Sequence, residues 1–400
     1  MTTKDKIKEF ILSIRIINTH SHHKARNTLC NGTYNLDVIL RNSYVSWSGV
    51  EFTQSHKSRE HYLDVVRYKS YFKAIEAAIS TLYDLPERIT ADNWDDFNHV
   101  IEQKNHEAPL FDKLRDECSY EYIIVDAYWN PGLNWGRSDL FTPAFRVNAF
   151  LNGYDRDYLD MDKMGIESVL SESPKTLNDY VNAMRQVISA KINEGCVALK
   201  TANAYERGLD YYKTTKEKAE KVFLCNHGQW TKEDIIHFQN YIFYSICDLA
   251  ADLDVPVQVH TGLGCMKKTN ALQMVDVIGD HPKTKFVLFH GGYPWTQDIG
   301  GMLHFFQNVY SDICWLPILS PTVATGALNE MMEIGTSDKI LWGCDTITFE
   351  ESYGARETMA EVLANALSSK VDSGYYSMTE AEKIVRNILF NNPKTLYKFE

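Results

Sequence analysis

Short β-rich runs alternate with amphipathic helical segments along most of this 400-residue chain. That alternation predicts an α/β fold of the (β/α)8 barrel type, because strands separated by helices pair in parallel through right-handed crossovers. Two further observations support it: the runs number eight, and several of them end on polar side chains. Barrels of this type reach this length as one unit, so we expect residues 1–400 to form a single domain.

Each predicted strand is a short apolar run that ends at a loop. The runs are residues 11–17, 122–127, 145–150, 196–201, 255–261, 285–290, 308–313 and 339–345. The segments between them carry apolar residues at helical spacing, for example Val181, Met184 and Ile188. This periodicity predicts helices over 177–192, 232–253, 270–278, 324–334 and 379–390.

Residues 24–118 do not follow the strand and helix alternation and are predicted to form a helical insertion after the first strand. Apolar residues recur at near-helical spacing over 59–81, and Thr90 begins a segment typical of a capped helix start. We expect this insertion to pack over one end of the barrel, where lids and substrate walls often lie.

The composition of the chain excludes several classes of partner. Acidic residues outnumber basic ones, 53 to 41, and the net charge of −12 argues against a nucleic-acid or acidic-membrane partner. No run approaches the length of a membrane span, and the eight cysteines contain no CxxC pair, which is typical of reduced thiols. We therefore expect a cytoplasmic protein acting on a small molecule. The oligomeric state stays open, with a homo-oligomer among the alternatives.

Residues at the ends of the predicted strands have metal-ligand chemistry. His20 and His22 lie two apart at the end of the first run, so their side chains face the same way. Four other runs end on Lys200, His260, His290 and Asp345. Any one of these would more often be a core or loop residue, but barrel active sites form at the carboxyl ends of strands. Together they predict a transition-metal site, most simply zinc.

The order His-x-His, Lys, His, His and Asp on strands one, four, five, six and eight resembles the amidohydrolase superfamily. The resemblance is closest to the amidohydrolase-2 group, and within it to nodulin-like domains fused to glutamine-synthetase-like domains. The similar segments are 198–209, 258–264, 288–294, 308–312, 340–346 and 351–354. The resemblance implies a TIM barrel of the metal-dependent hydrolase type, with Asn18 where the family usually has an acid.

The chemistry follows from these ligands. A metal held by His20, His22 and Asp345 would lower the pKa of water to about 7, and Asp345 would transfer the proton. His290 or His260 would polarise the scissile carbonyl or complete a second metal site. Lys200 can act as a ligand only when neutral or, as in binuclear members of the superfamily, carbamylated. Otherwise it pairs as a cation with a substrate carboxylate.

The remaining candidates lie near the strand ends. Arg207 is a candidate clamp for a substrate carboxylate. Tyr205, Tyr293 and Trp295 are candidate pocket walls. Cys265 is a weaker candidate, and Arg146, placed early on the third predicted strand, is expected to be structural.

We therefore predict a metal-dependent hydrolase that uses one or two divalent ions, zinc first and then Mn²⁺ or Fe²⁺. It would cleave a C–N or C–O bond of a small polar substrate, such as an amide or a lactone. The alternative is a decarboxylase or a uronate-isomerase-like enzyme on the same barrel. A third hypothesis is a surface-acting protein that uses residues 24–118 as its binding module.

Overall fold

The structure is a computed structural model and describes residues 1–86, 88–106, 110–171, 174–225 and 227–400. Within these ranges eight strands form one sheet in the order β1 to β8. The strands are β1 Ile16–Ser21, β2 Tyr120–Val125, β3 Phe141–Arg146, β4 Ala198–Thr201, β5 Val257–Val259, β6 Phe286–Leu288, β7 Val309–Asp312 and β8 Ile340–Leu341. Helices separate most of these strands, so the predicted (β/α)8 barrel is confirmed.

The α-helices of the first half cover the segment before β1, the connection from β1 to β2, and the segments on either side of β4. They are α1 Thr3–Ser13, α2 Arg26–Leu29, α3 Leu36–Arg41, α4 His56–Val66, α5 Ser70–Tyr83, α6 Trp94–Asn105, α7 Leu110–Asp116, α8 Asn148–Leu151, α9 Leu177–Asn193, α10 Lys216–Leu224 and α11 Lys232–Asp252. Those of the second half are α12 Val275–Asp280, α13 Thr296–Phe305, α14 Leu316–Leu319, α15 Pro321–Ile334, α16 Phe349–Asp372, α17 Met378–Arg386 and α18 Asn392–Leu396.

Parallel pairing is regular from β3 to β8. Lys200 of β4 lies opposite Arg146 of β3 on one side and opposite Gln258 of β5 on the other. The chain directly after β8 bonds to β1, because the amide of Asp345 donates to the carbonyl of His20 at 2.9 Å. This bond links β1 to the residues that follow β8.

The first predicted strand, residues 11–17, was placed too early. Ile11 belongs to α1, where Ile7 and Ile11 are buried about one helical turn apart. A capping box between Thr2 and Asp5 fixes the start of this helix. The strand begins only at Ile16, and the run of isoleucines is shared between a helix face and a strand.

The third predicted strand, residues 145–150, was placed too late. β3 ends at Arg146, and residues 148–151 are helical. Pro143 lies inside the true strand, where proline is unusual because it cannot donate to a ladder. Its carbonyl nevertheless accepts from the amide of Val197 at 3.0 Å. Arg146 is therefore the last residue of its strand, and its predicted early position was wrong.

The described residues between β1 and β2 form helices α2 to α7 and a 3₁₀ turn at Tyr44–Ser48, with no strand among them. The single helix predicted over 59–81 is divided at residues 67–69. Residues 87 and 107–109 of the predicted insertion lie outside the described ranges. Phe52, Tyr62 and Trp94 pack ring against ring in its core. The boundaries 24–118 and the single-domain assignment of 1–400 stay predictions.

Contacts between Cα atoms divide the chain into two compact units. The first comprises residues 1–123, 314–329 and 342–390, and it contains β1, the helices of the connection to β2, and α16. The second comprises residues 124–313, 330–341 and 391–400, and it contains β3 to β8. Each unit carries its own group of the predicted site residues.

Across the part of the chain that the structure describes, no helix is both long and apolar enough to cross a lipid bilayer. All eight cysteines carry free thiols.

Candidate metal centre

His20, His22 and Asp345 converge in the first unit. Asp345 Oδ1 lies 3.7 Å from His20 Nε2 and 3.3 Å from His22 Nε2. One ligand atom from each residue lies within 4.8 Å of those of the other two. Two imidazole nitrogens and a carboxylate oxygen at this separation are typical of a transition-metal site that keeps one position open.

The local backbone explains this convergence. His20 and His22 are separated by one residue of extended chain, so both face one side as predicted. A Cβ at Gly343 would collide with the backbone of His20, so the residues after β8 can approach β1 only with glycine there. Asp345 has a left-handed backbone, with φ of 55°. This conformation costs on the order of 1 kcal/mol in a non-glycine residue and is common at functional sites.

Tyr44 is a site residue that the sequence analysis missed. Its hydroxyl donates to Asp345 Oδ1 at 2.9 Å, from the 3₁₀ turn within the helical connection. Tyr44 is 301 residues away from Asp345 in the chain, and no spacing rule links them. The helical connection therefore contributes directly to the group around the carboxylate.

Glu351 holds Tyr44 in place. The amide of Tyr44 donates to Glu351 Oε1 at 2.8 Å, and the amide of Ile347 donates to Glu351 Oε2 at 3.1 Å. Glu351 is buried, and burial raises its pKa to about 7, although the two amide bonds oppose this shift. A buried carboxyl that titrates near neutrality thus lies next to Tyr44.

An aromatic cluster surrounds Tyr44 within the first unit. Trp47 meets its ring edge-on at 5.0 Å, Tyr71 stacks on it at 5.7 Å, and Trp315 lies at 5.3 Å. Trp47 is 63% exposed, whereas Tyr44 and Trp315 are buried. These rings restrict the orientation of the tyrosine that contacts Asp345.

Lys200 lies in the second unit and is almost fully buried. Its Nζ is 3.7 Å from the centroid of the Phe289 ring. The face of an aromatic ring carries negative charge density and attracts cations. A lysine ammonium can make this contact.

His260 and His290 hydrogen-bond to each other in the second unit, with 2.9 Å between His290 Nε2 and His260 Nδ1. His260 Nε2 lies 2.5 Å from the carbonyl oxygen of Leu263. A carbonyl can only accept, so His260 Nε2 carries the proton, and in neutral His260 the Nδ1 atom accepts from His290. Both ring nitrogens of His260 thus have protein partners in this arrangement. The predicted metal-ligand roles of His260, His290 and Lys200 stay predictions.

The predicted pocket residues occupy the loops after β4, β5 and β6. The Tyr205 ring lies 4.3 Å from the His260 ring, and Cys265 Sγ contacts the Tyr205 carbonyl at 3.2 Å. Tyr293 and Trp295 follow His290 in a turn and are partly exposed. Their roles in binding stay predictions.

Arg207 is already engaged by protein groups. Its guanidinium donates to Asn240 Oδ1 at 3.0 Å, pairs with Asp210 at 3.6 Å and lies 4.2 Å from the Tyr211 ring centroid. These contacts favour an anchor for the loop after β4. The predicted clamp on a substrate carboxylate would require this group to exchange partners.

Arg146 forms a buried ion-pair group at the end of β3. It is bidentate to Asp126, at 3.2 and 2.6 Å, and its third nitrogen contacts Asp162 at 2.5 Å. A guanidinium with all three nitrogens paired agrees with the structural role expected for Arg146.

Residues 224–399 match the model of the Amidohydrolase family. This match bears out the amidohydrolase resemblance for the part of the chain that carries His260, His290 and Asp345. Protein fluG of Emericella nidulans is 32% identical over 149 residues, which cover 36% of this chain and 17% of that protein. The match therefore spans about a sixth of the curated relative's length.

Solved structures match nearly the whole chain. A Thermotoga maritima uronate isomerase has a TM-score of 0.79 at 18% identity, covering 99% of this chain and 97% of that one. For a Caulobacter crescentus glucuronate isomerase the TM-score is 0.78 at 14% identity, with coverage of 100% and 94%. A Lactobacillus casei protein provisionally assigned as a metal-dependent hydrolase has a TM-score of 0.69 at 18% identity, with coverage of 98% and 97%. At these identities the likeness shows the fold alone.

Proposed function

We propose that this chain is a metal-dependent hydrolase that cleaves a C–N or C–O bond of a small polar substrate. The observation that carries the proposal is the convergence of His20, His22 and Asp345 at the end of β1 and after β8. The family match over residues 224–399 supports enzymatic activity of the amidohydrolase kind.

The donor set fits a divalent ion. Two imidazoles and one carboxylate suit Zn²⁺, and they also suit Mn²⁺ and Fe²⁺, because such ligands discriminate weakly. His20, His22 and Asp345 would hold the ion. When bound, such an ion acidifies water to a pKa of about 7 and polarises carbonyl oxygens.

Asp345 is the proposed proton carrier. Its carboxylate takes a proton from the attacking water and delivers it to the leaving amine or alkoxide. Tyr44 restricts the carboxylate by donating to Oδ1, so the rotation that would move the base away from the reacting atoms is opposed.

His290 and Lys200 are the proposed groups that act on the substrate. His290 donates to His260 through Nε2, so protonation at Nδ1 would make it a donor to a substrate carbonyl. Lys200, held as a cation over Phe289, would pair with a substrate carboxylate. We propose that Tyr205, Tyr293 and Trp295 line the pocket, and that Arg207 keeps the loop after β4 in place.

Labelled water tests the reaction class. Zinc-loaded protein would be incubated in H₂¹⁸O with a panel of γ-glutamyl amides, lactones and uronates. Hydrolysis predicts one ¹⁸O atom in the acid product by mass spectrometry, and His22→Ala should abolish it. Product formed from every active substrate without ¹⁸O in a new carboxylate would contradict the proposal.

A sugar-acid isomerase is the second candidate. Its support is the whole-chain fold likeness to two uronate isomerases, with TM-scores of 0.79 and 0.78. Isomerisation converts an aldose acid to a ketose acid of the same mass, so it would be recognised in the same panel as a ketose product from a uronate. Loss of carbon dioxide would instead identify a decarboxylase.

A further inference from the structure

Asn18 links β1 to the chain after β8 through both polar atoms of its side chain. We call its contacts with His20 and Cys344 the Asn18 bridge. Its Oδ1 accepts from the amide of Cys344 at 2.9 Å and from the amide of His20 at 3.3 Å. Its Nδ2 donates to Cys344 Sγ at 2.9 Å. Asn18 is fully buried and Cys344 is 1% exposed, so both groups meet away from bulk water.

The two ends of this bridge lie directly beside the proposed metal ligands. His20 is two residues after Asn18, and Asp345 is the residue after Cys344. The Asp345 amide bonds to the His20 carbonyl at 2.9 Å. One side chain thus touches the backbone of one ligand and the residue before another.

The side-chain amide of Asn18 satisfies this arrangement. Its oxygen accepts from the two backbone N–H groups, and its NH₂ donates to the sulfur atom, so one side chain supplies both kinds of atom. A flipped amide would aim its NH₂ at two N–H groups, which fixes its orientation. An ionised carboxylate supplies no donor, so in its place the contact with Cys344 would require the thiol to donate.

The sulfur of Cys344 is held from a second direction. Thr346 Oγ1 donates to it at 3.0 Å, and Thr346 also contacts Ser352 Oγ at 2.5 Å. Ser352 Oγ lies 2.6 Å from His23 Nε2, so the network reaches the segment directly after β1. Both sides of Asp345 are therefore tied to a buried network.

The contacts of Asn18 help to hold the strained backbone at Asp345. A left-handed φ of 55° at a non-glycine residue persists only where its surroundings enforce it. The bonds to the Cys344 amide and sulfur fix the residue immediately before Asp345. Loosening them would let the carboxylate leave the position from which it faces His20 and His22.

From these contacts we propose that Asn18 is a positioning residue that sets the register of His20 and His22 against Asp345 and so determines metal affinity. The inference rests on the proposed function, because it assumes that these three residues bind a metal. Asn18 does not itself touch the ion or the substrate. Groups that orient metal ligands typically contribute about 10-fold to 100-fold in affinity.

The test compares Asn18→Ala with a matched control, Asn105→Ala. Asn105 is also fully buried in the first unit, where its Nδ2 donates to Tyr83 Oη at 2.7 Å and to the Ile101 carbonyl at 2.9 Å. Calorimetric titration with zinc should show about 10-fold to 100-fold weaker binding for Asn18→Ala, and less than about a threefold change for Asn105→Ala. Equal affinities in the two variants would overturn the proposal.

A second pair of variants does not depend on Asn18→Ala folding. Cys344→Ala removes the sulfur that Nδ2 contacts and should weaken zinc binding, whereas Cys344→Ser keeps an acceptor there and should restore it. Failure of serine to restore affinity above that of alanine would contradict the role of this contact.

Hydrogen exchange separates failure of the bridge from failure of the metal site. In metal-free protein, the peptide containing the Asp345 amide should exchange faster in Asn18→Ala than in Asn105→Ala. If wild type binds no zinc but this difference is present, the proposed function fails and the bridge stands. If this peptide exchanges alike in both variants, the bridge is refuted.

Discussion

The two histidine pairs of this molecule have the same chemistry and different neighbours. His20 and His22 face the carboxylate of Asp345 at 3.7 and 3.3 Å. His260 and His290 instead bond to each other at 2.9 Å, and His260 also bonds to a backbone carbonyl. A strand-end histidine is therefore a candidate by position, and the atoms beside it indicate whether it faces another metal ligand or shares a proton with a second imidazole.

The largest expected effect is the loss of zinc binding when a histidine of the first pair is removed. His20→Ala removes one of three converging ligands, so zinc binding should fall by more than about 100-fold, beyond what a change in a group behind the ligands produces. Elemental analysis of protein purified without chelator should find about one zinc per wild-type chain and almost none in the variant.

His260→Ala is the matched control for that measurement, because it removes an imidazole whose nitrogens have protein partners. It should retain the zinc content of wild type. An equal loss of zinc in both variants would show that the two histidine pairs share one metal function.

The next effect concerns stability against pH near Tyr44. Burial raises the pKa of Glu351 from 4.5 to about 7, so between these values the folded state binds more protons than the unfolded state. Stability should therefore fall as the pH rises from 4.5 to 7, by about 3 kcal/mol.

Urea unfolding of metal-free protein at a series of pH values measures this dependence. In Glu351→Gln the corresponding loss should disappear, whatever the variant's absolute stability, because glutamine does not titrate in this range. An unchanged pH dependence in Glu351→Gln would assign the titration to another group.

A smaller effect tests the contribution of the helical connection to the metal centre. Tyr44→Phe removes the hydroxyl that donates to Asp345 Oδ1 and should weaken zinc binding about 10-fold. The control is Tyr62→Phe, since Tyr62 is a buried tyrosine in the same connection whose hydroxyl has no hydrogen-bond partner among the described residues. Calorimetric titration should leave Tyr62→Phe unchanged, and a tenfold loss there as well would point to general loosening of the connection.

The difference between Tyr44 and Asp345 shows how far sequence reasoning reaches. Asp345 was predicted because barrel topology places strand ends at one face, so the end of each strand carries information about the site. Tyr44 lies in a 3₁₀ turn of a connection without strand order. Its contact with Asp345 depends on the packing of α3 to α5, which periodicity does not determine.

Periodicity was also insufficient to place the ends of the strands. A run of isoleucines satisfied both helix and strand patterns, and only the capping box at Thr2 places Ile11 in a helix. Pro143 led to the misplacement of β3, because a proline argues against a strand when the hydrogen bonds to neighbouring strands are not known. The number and order of the strands were predictable from alternation, whereas their exact bounds depended on bonds to neighbouring strands.

The smallest expected effect on metal content comes from Lys200 and separates its two predicted roles. We expect Lys200 to act as a cation over the Phe289 ring, so Lys200→Met should leave the zinc content unchanged and raise the KM for an acidic substrate. The control is Lys268→Met, which removes a lysine that is exposed and paired with Asp210 at 3.0 Å. A bridging carbamate predicts the opposite result, because loss of the bridge should reduce two zinc ions to one. Elemental analysis of wild type and both variants, purified in parallel, therefore decides whether the lysine of the second unit belongs with the metal ligands or with the groups that act on the substrate.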